Sequence, residues 1–171
     1  MSRAILPGAL AVFLLLQAER QEAAGAKKIT VIALVRHAEK AGDSGDPGLT
    51  AAGRKRAEAL ERTFRGARVH ALVSSALRRT KETLEPLAKA KGLTVESAAE
   101  AEDVVRVLKK LAPGSLAVVA HHSYTLRAIL DGLGVPAGDA AAVDVGLDVH
   151  DQLLLVAIHP GLETRLVPLK Y

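Results

Sequence analysis

Residues 28–40, KITVIALVRHAEK, decide the fold. The first eight of them, from Lys28 to Val35, form an apolar and largely β-branched run, which is typical of a strand buried on both faces. The run ends directly at Arg36 and His37. Ligands of open α/β sheets bind beyond the carboxyl ends of the strands, so this junction is a candidate functional site.

The rest of the chain alternates between helix and strand patterns. Helices are predicted over 51–65, 77–84, 103–111 and 125–133, and further strands over 69–73, 93–95, 115–120, 152–158 and 164–169. Pro86 is expected to kink or restart the second helix. This alternation predicts an α/β three-layer sandwich with a mostly parallel central sheet flanked by helices.

Composition narrows the functional classes. The chain has 171 residues, 49 % of them apolar and 25 % charged, which favours one packed domain. Aromatic residues make up 2 %, too few for the stacking platforms of single-strand nucleic-acid binders. The net charge of +4 is spread along the chain, which favours an anionic substrate and no nucleic-acid partner. The absence of cysteine excludes disulfides, thiolate metal sites and a cysteine nucleophile.

The N-terminal segment has the pattern of an export signal. A short basic start at Arg3 precedes an apolar run from Ala4 to Leu16, and small residues follow at 24–26. We therefore expect residues 1–26 to be a signal peptide, residues 27–171 to be the functional domain, and the protein to be exported, periplasmic or secreted. An uncleaved membrane anchor is the alternative, and stable membrane insertion is expected in that case alone, although the apolar run is shorter than the roughly 20 residues of a membrane span.

Three predicted strands end in polar side chains that suit phosphoryl transfer. A transferring phosphoryl group spreads negative charge over its oxygens, which guanidinium groups and other hydrogen-bond donors can bind. A neutral imidazole can attack phosphorus without a metal and form a phosphohistidine that water later hydrolyses. In chain order the three ends carry Arg36 and His37; Ser74, Ser75, Arg78 and Arg79; and His121, His122, Ser123 and Thr125.

These motifs resemble those of the histidine phosphatase superfamily, also called phosphoglycerate mutase-like. Its Arg-His-Ala followed by Glu corresponds to residues 35–40 (VRHAEK), and its Leu-Thr-x-x-Gly helix start to residues 49–57 (LTAAGRKRA). Its Ser-Ser-x-Leu-x-Arg-x-x-x-Thr element corresponds to residues 74–83 (SSALRRTKET), and its second histidine element to residues 118–125 (VVAHHSYT). The resemblance runs from about Lys28 to Tyr171 and is nearest to the small bacterial-type phosphatases.

The resemblance implies roles for individual residues. His37 would be phosphorylated, and Arg36, Arg79 and His122 would surround the phosphoryl group; His121 is the alternative second histidine. Substrate contacts would come from Glu39, Lys40, Ser123 and Thr125. The implied activity is that of a metal-independent phosphatase without a cofactor, acting on a phosphate monoester or phosphohistidine of a phosphorylated small molecule or phosphoprotein.

Several alternatives stay open at this point. A noncatalytic phosphate- or phospholigand-binding module would keep the same pocket without turnover, and a phosphoglycerate mutase-type phosphotransferase would need additional helical segments. Metal binding by His37, His121 and His122 with Asp43 or Asp46 lacks the usual helical ligand spacing. The acid that would protonate the leaving group is one of four carboxyl residues, Glu96, Glu100, Glu102 or Asp103.

Overall fold

The protein folds around one six-stranded mixed sheet with strand order β3-β2-β4-β1-β5-β6. The computed structural model describes residues 28–43, 45–143, 146 and 149–171; the predicted signal segment lies outside them. Four adjacent strands, β3, β2, β4 and β1, run parallel, and β5 and β6 are antiparallel additions at one side, so the predicted mostly parallel sheet is confirmed. The strands are β1 (Thr30–Arg36), β2 (Ala71–Ser74), β3 (Val95–Ser97), β4 (Leu116–His121), β5 (Gln152–Ile158) and β6 (Arg165–Lys170).

Helices cover both faces of the sheet and complete the predicted three-layer sandwich. The helices are α1 (Ala51–Thr63), α2 (Arg78–Lys91), α3 (Ala101–Leu108), α4 (Ser123–Gly132) and α5 (Ala137–Ala141). Leu60 of α1 and Leu87 of α2 belong to the apolar cluster on one face. Val104 of α3 and Ile129 of α4 belong to the cluster on the other face.

Strand β1 shows why the opening segment decides the architecture. Successive side chains of a strand point to opposite faces. Accordingly, Ile32 and Leu34 join the cluster under α3 and α4, whereas Ala33 and Val35 join the cluster under α1 and α2. All four are fully buried, which confirms the prediction of a strand covered on both faces.

Helix α2 differs from its prediction, because it runs through Pro86 to Lys91 without interruption. Proline removes one backbone hydrogen bond from a helix interior. Here Leu84 and Leu87, on either side of it, are fully buried in the same cluster, and their burial keeps both halves of the helix on the sheet. Helix α3 begins two residues earlier and ends three residues earlier than its pattern predicted.

Strand β6 forms the outer edge of the antiparallel side. Its residues Val167 and Leu169 are close to half exposed, and Pro168 between them is paired with Leu154 of β5. Within the described part of the chain, the helices are too short and too polar for any of them to cross a membrane.

Candidate phosphoryl-transfer site

The ends of β1, β2 and β4 meet at one edge of the sheet, as the sequence predicts. Strand β4 lies between the other two, and Arg36 at the end of β1 is in register with His121 at the end of β4. The pairing continues one residue further, because the backbone N–H of His37 donates to the carbonyl of His121 at 2.8 Å. The side chains after these three strands therefore share one pocket.

His37 is held in one tautomer. Its ring lies 2.8 Å, through Nδ1, from the carbonyl oxygen of Ala38. Since a carbonyl can only accept, Nδ1 must carry the proton, which leaves the lone pair on Nε2. Burial lowers the pKa of His37 to about 4, and the nearby charges of Arg36 and Arg79 act in the same direction. The ring is therefore neutral at neutral pH, with Nε2 able to act as a nucleophile.

The loop after His37 is fastened to helix α2. The N–H of Ala38 donates to the hydroxyl of Thr83 at 2.9 Å, and that hydroxyl donates to the carbonyl of Arg79 at 2.7 Å. Gly53 at the start of α1 packs against the same loop so closely that a Cβ there would lie 2.4 Å from the carbonyl oxygen of Glu39. The glycine of the Leu-Thr-x-x-Gly element is thus required by packing.

His122 faces His37 across the pocket, with ring centroids 5.5 Å apart. Its Nε2 lies 2.9 Å from Ser75 Oγ, which lies 2.8 Å from Thr80 Oγ1. Thr80 uses its hydroxyl proton toward the Leu77 carbonyl at 2.7 Å, so Ser75 donates to Thr80 and His122 Nε2–H donates to Ser75. Nδ1 of His122 is buried without a partner among the described residues, and burial lowers its pKa to about 3.

His121 is buried on the other side of β4. Its Nδ1 bonds to Thr125 Oγ1 at 2.5 Å and its Nε2 to the carbonyl of Ala98 at 3.1 Å. Both ring nitrogens are occupied, and the side chain is fully buried. Its contacts are those of a structural histidine between β4, α4 and the residue after β3.

The two arginines of the pocket are both largely buried. Arg36 is 8 % exposed and donates from Nη1 to the carbonyl of Gly146 at 3.1 Å. Arg79 stands at the start of α2, with Nε buried without a partner among the described residues and Nη1 3.8 Å from Asp46. Its neighbour Arg78 is mostly exposed and pairs with Glu82.

The four predicted substrate-contact residues differ in the hydrogen bonds and ion pairs that they make within the protein. Glu39 accepts a fork of hydrogen bonds from Arg56, which lowers the pKa of its carboxyl group. Lys40 pairs with Asp43 on the surface, and Thr125 is bound to His121 and to the backbone of His122. Ser123 is half-buried at the first turn of α4, the positive end of that helix.

The candidate proton donors lie along β3 and the start of α3. Glu96, Glu100 and Glu102 are exposed, and Asp103 pairs with Arg106 at 2.7 Å. Glu100 is the one of the four whose negative charge acts on His121 and raises its pKa against the larger lowering effect of burial.

Two side chains at the site escaped the sequence analysis. His150, just before β5, donates from Nδ1 to the carbonyl of His37 at 2.8 Å, and its ring centroid lies 5.7 Å from that of His37. Tyr124 stacks on His122, with centroids 5.1 Å apart and planes 8° from parallel, while 72 % of it stays exposed. No motif marks His150, whereas Tyr124 lies within the second histidine element, residues 118–125, without a role assigned to it.

The metal alternative finds no support in the donor arrangement. Asp43 lies at the surface beside Lys40, and Asp46 accepts hydrogen bonds from the backbone N–H of Arg78 at the start of α2. In the portion of the chain that the structure describes, no group of three histidine or carboxylate side chains is arranged to hold a metal ion.

Residues 32–104 match the family model of the histidine phosphatase superfamily (branch 1). The matched segment contains Arg36, His37 and Arg79 and ends before His122. No curated protein sequence matches the chain.

Solved structures share the whole architecture at low sequence identity. A mycobacterial glucosyl-3-phosphoglycerate phosphatase superposes with a TM-score of 0.65 at 15 % identity, covering 81 % of this chain and 97 % of its own. SixA from Agrobacterium tumefaciens gives a TM-score of 0.63 at 22 % identity, covering 83 % and 98 %. The protein histidine phosphatase SixA complexed with tungstate gives 0.64 at 15 % identity, covering 82 % and 96 %. These likenesses show the fold.

Proposed function

We propose that this chain, whose residues 32–104 match the family model of the histidine phosphatase superfamily (branch 1), is a metal-independent phosphatase that hydrolyses a phosphate monoester or phosphohistidine through a phosphorylated His37. The observation that carries the proposal is the state of the His37 ring. It is neutral, its proton is fixed on Nδ1 by the Ala38 carbonyl, and its Nε2 lone pair is left for phosphorus.

The other pocket residues supply charge and hydrogen bonds to the transferring group. Arg36 and Arg79 offer guanidinium groups to its oxygens, and Nδ1 of His122 offers a donor once a phosphate dianion has raised the pKa of that ring. Donors that are held in place before the reaction stabilise developing charge at little reorganisation cost.

The reaction has two displacements. In the first, Nε2 of His37 attacks phosphorus, and the bond from phosphorus to the ester oxygen, or to the imidazole nitrogen of a phosphohistidine, breaks. The departing atom takes up a proton from a carboxylic acid of the site or from solvent. In the second, water attacks the phosphohistidine, the P–N bond breaks with its electrons returning to Nε2, and inorganic phosphate leaves. His37 ends in the tautomer in which it began.

The substrate class is proposed from the similar structures. Of the similar structures, one is a phosphatase of a glucosylated phosphoglycerate and another a protein histidine phosphatase. We propose a phosphorylated small molecule or a phosphoprotein as the substrate.

The test is turnover of an aryl phosphate in the presence of a chelator by the wild type and by His37→Ala. We expect the wild type to be active and to form an acid-labile, alkali-stable phosphoenzyme, and the variant to lose at least about 10⁴-fold in kcat because the nucleophile is gone. His159→Ala is the matched control, since His159 follows β5 at the opposite edge of the sheet.

Three results would contradict the proposal in different ways. Loss of activity with the chelator would show a metal mechanism. Full activity of His37→Ala would remove the assigned nucleophile. An inactive wild type that still binds inorganic phosphate would support the noncatalytic binding module.

Export is a separate proposal, based on the sequence of residues 1–26 alone. Expression in a bacterium followed by fractionation and N-terminal sequencing should give a periplasmic or secreted protein that begins near residue 27. A full-length protein in the membrane fraction would indicate the anchor.

A further inference from the structure

The backbone of the nucleophile is bonded on two sides. The N–H of His37 donates to the His121 carbonyl at 2.8 Å, a bond that continues the pairing of β1 with β4. The His37 carbonyl accepts from Nδ1 of His150, also at 2.8 Å. The second bond comes from a side chain 113 residues away in the sequence.

A second residue shortly before β5 also contacts the pocket. Gly146, four residues before His150, accepts the hydrogen bond from Arg36 Nη1. Two consecutive site residues, Arg36 and His37, are thus each bonded to the stretch that leads into β5. That stretch contributes to the position of the phosphate-binding and nucleophilic groups together.

The chemistry of the bond defines the state of His150. Its partner is a carbonyl oxygen, so Nδ1 must carry a proton, and Nε2 has the lone pair when the ring is neutral. Burial lowers the pKa of His150, and Arg36 and Arg56 lower it further, whereas the Glu39 carboxylate and the bond to His37 act in the opposite direction. The ring is therefore a neutral donor at neutral pH.

From this geometry we infer that His150 is a positioning residue for the nucleophile, acting through the bond from its Nδ1–H to the His37 carbonyl. The inference rests on the proposed phosphatase function. In-line attack depends on the direction of Nε2 of His37, and the Nδ1 bond to Ala38 fixes that direction relative to the main chain. Fixing the His37 peptide therefore fixes the line of attack.

Substitution of His150 by Asn or by Gln distinguishes the role of its Nδ1 from that of its Nε2. The amide nitrogen of an asparagine side chain occupies nearly the position of imidazole Nδ1, whereas that of glutamine lies nearer to Nε2. We expect His150→Ala to lower the single-turnover rate of His37 phosphorylation by about 10- to 10²-fold, the range for a small misalignment of reacting groups, with KM nearly unchanged. His150→Asn should recover most of the rate, and His150→Gln should not. His159→Ala and His159→Asn are the matched controls at the far end of β5.

A measurement on the unmodified protein makes the inference independent of how the variants fold. The ¹⁵N shifts of the His150 ring should show the Nδ1–H tautomer, and the thermal melting of each variant should be recorded beside its rate. An Nε2–H tautomer, a wild-type rate in His150→Ala, or recovery by Gln in place of Asn would each overturn the inference. If the wild type neither turns over nor becomes phosphorylated, the proposed function fails instead, while the tautomer still reports on the bond.

Discussion

The end of β4 and the start of α2 each carry two identical residues in succession, and the fold separates the members of both pairs. At the end of β4, His121 has both ring nitrogens bonded within the core, whereas His122 has one bonded to Ser75 and the other without a partner among the described residues. At the start of α2, Arg78 lies mostly in solvent and Arg79 is largely buried. Two adjacent residues of the same type therefore have different roles here, because their side chains point in different directions.

The two pairs are separated by different backbone geometries. His121 is the last residue of β4 and follows Ala117 and Val119 onto the α3 and α4 face, because side chains alternate along a strand. His122 is the cap residue of α4 and leaves that alternation. Neighbouring helix residues point about 100° apart, which sends Arg78 outward while Arg79 enters the pocket. The family resemblance implies the same members, His122 and Arg79.

The largest expected effect is the difference in activity between the His122→Ala and His121→Ala variants. His122→Ala should lower kcat for an aryl phosphate by about 10²- to 10³-fold, since it removes a positioned donor from the transferring group. His121→Ala should keep substantial activity but lose stability, at a cost of about 1–3 kcal/mol for each buried group left without a partner. Steady-state kinetics and thermal unfolding of both variants measure this. Loss of activity from His121→Ala with survival of His122→Ala would reverse the assignment.

Substitutions in the arginine pair should differ less in their effect. The difference is best measured as the change in inhibition by inorganic phosphate. Arg79→Lys keeps the charge but loses the planar fork of donors, so we expect inhibition by phosphate to weaken by about 10-fold or more. Arg78→Lys should change it little, because Arg78 pairs with Glu82 in a mostly exposed position. Equal weakening in both variants would show that net charge, and not the position of Arg79, binds the anion.

The smallest expected effect is a change in the pKa of His122 when phosphate binds. In the free protein the pKa of His122 is held at about 3 by burial and nearby positive charges. A bound phosphate dianion favours the charged ring, so phosphate should raise that pKa. His121 bonds to Thr125 and Ala98 and should respond less. A ¹H–¹⁵N titration of the rings with and without phosphate measures both shifts.

The sign of this linkage gives an independent check. Binding of sulfate, a dianion that does not titrate in this range, should take up a proton between the free and bound pKa values of His122, so sulfate affinity should fall as the pH rises from the free toward the bound value. Calorimetry in buffers of different ionisation enthalpy detects that uptake. Proton release on binding would mean that His122 does not face the anion.

Much of the architecture could be predicted because it depends on local patterns. The alternation of helix and strand patterns was sufficient for the sandwich, and the polar residues after three strands were sufficient for the edge that carries the site. The choice of Arg79 and His122 within that edge came from the family resemblance. His150 could not be predicted, since its role comes from a bond to a residue more than a hundred positions away and its neighbours form no motif. The path of α2 through Pro86 depends on the burial of Leu84 and Leu87, which is a tertiary effect.

The outer strand β6 bears on how the molecules behave toward one another. An edge strand can pair with a strand from a second molecule, and the partly exposed side chains of Val167 and Leu169 would favour such pairing by burying apolar surface. Pro168 stands between them and has no N–H to offer to such a partner. One residue thus makes the free side of β6 a poor template for aggregation, and Thr in its place would give concentrated solutions of the protein a route to self-association that the native sequence disfavours.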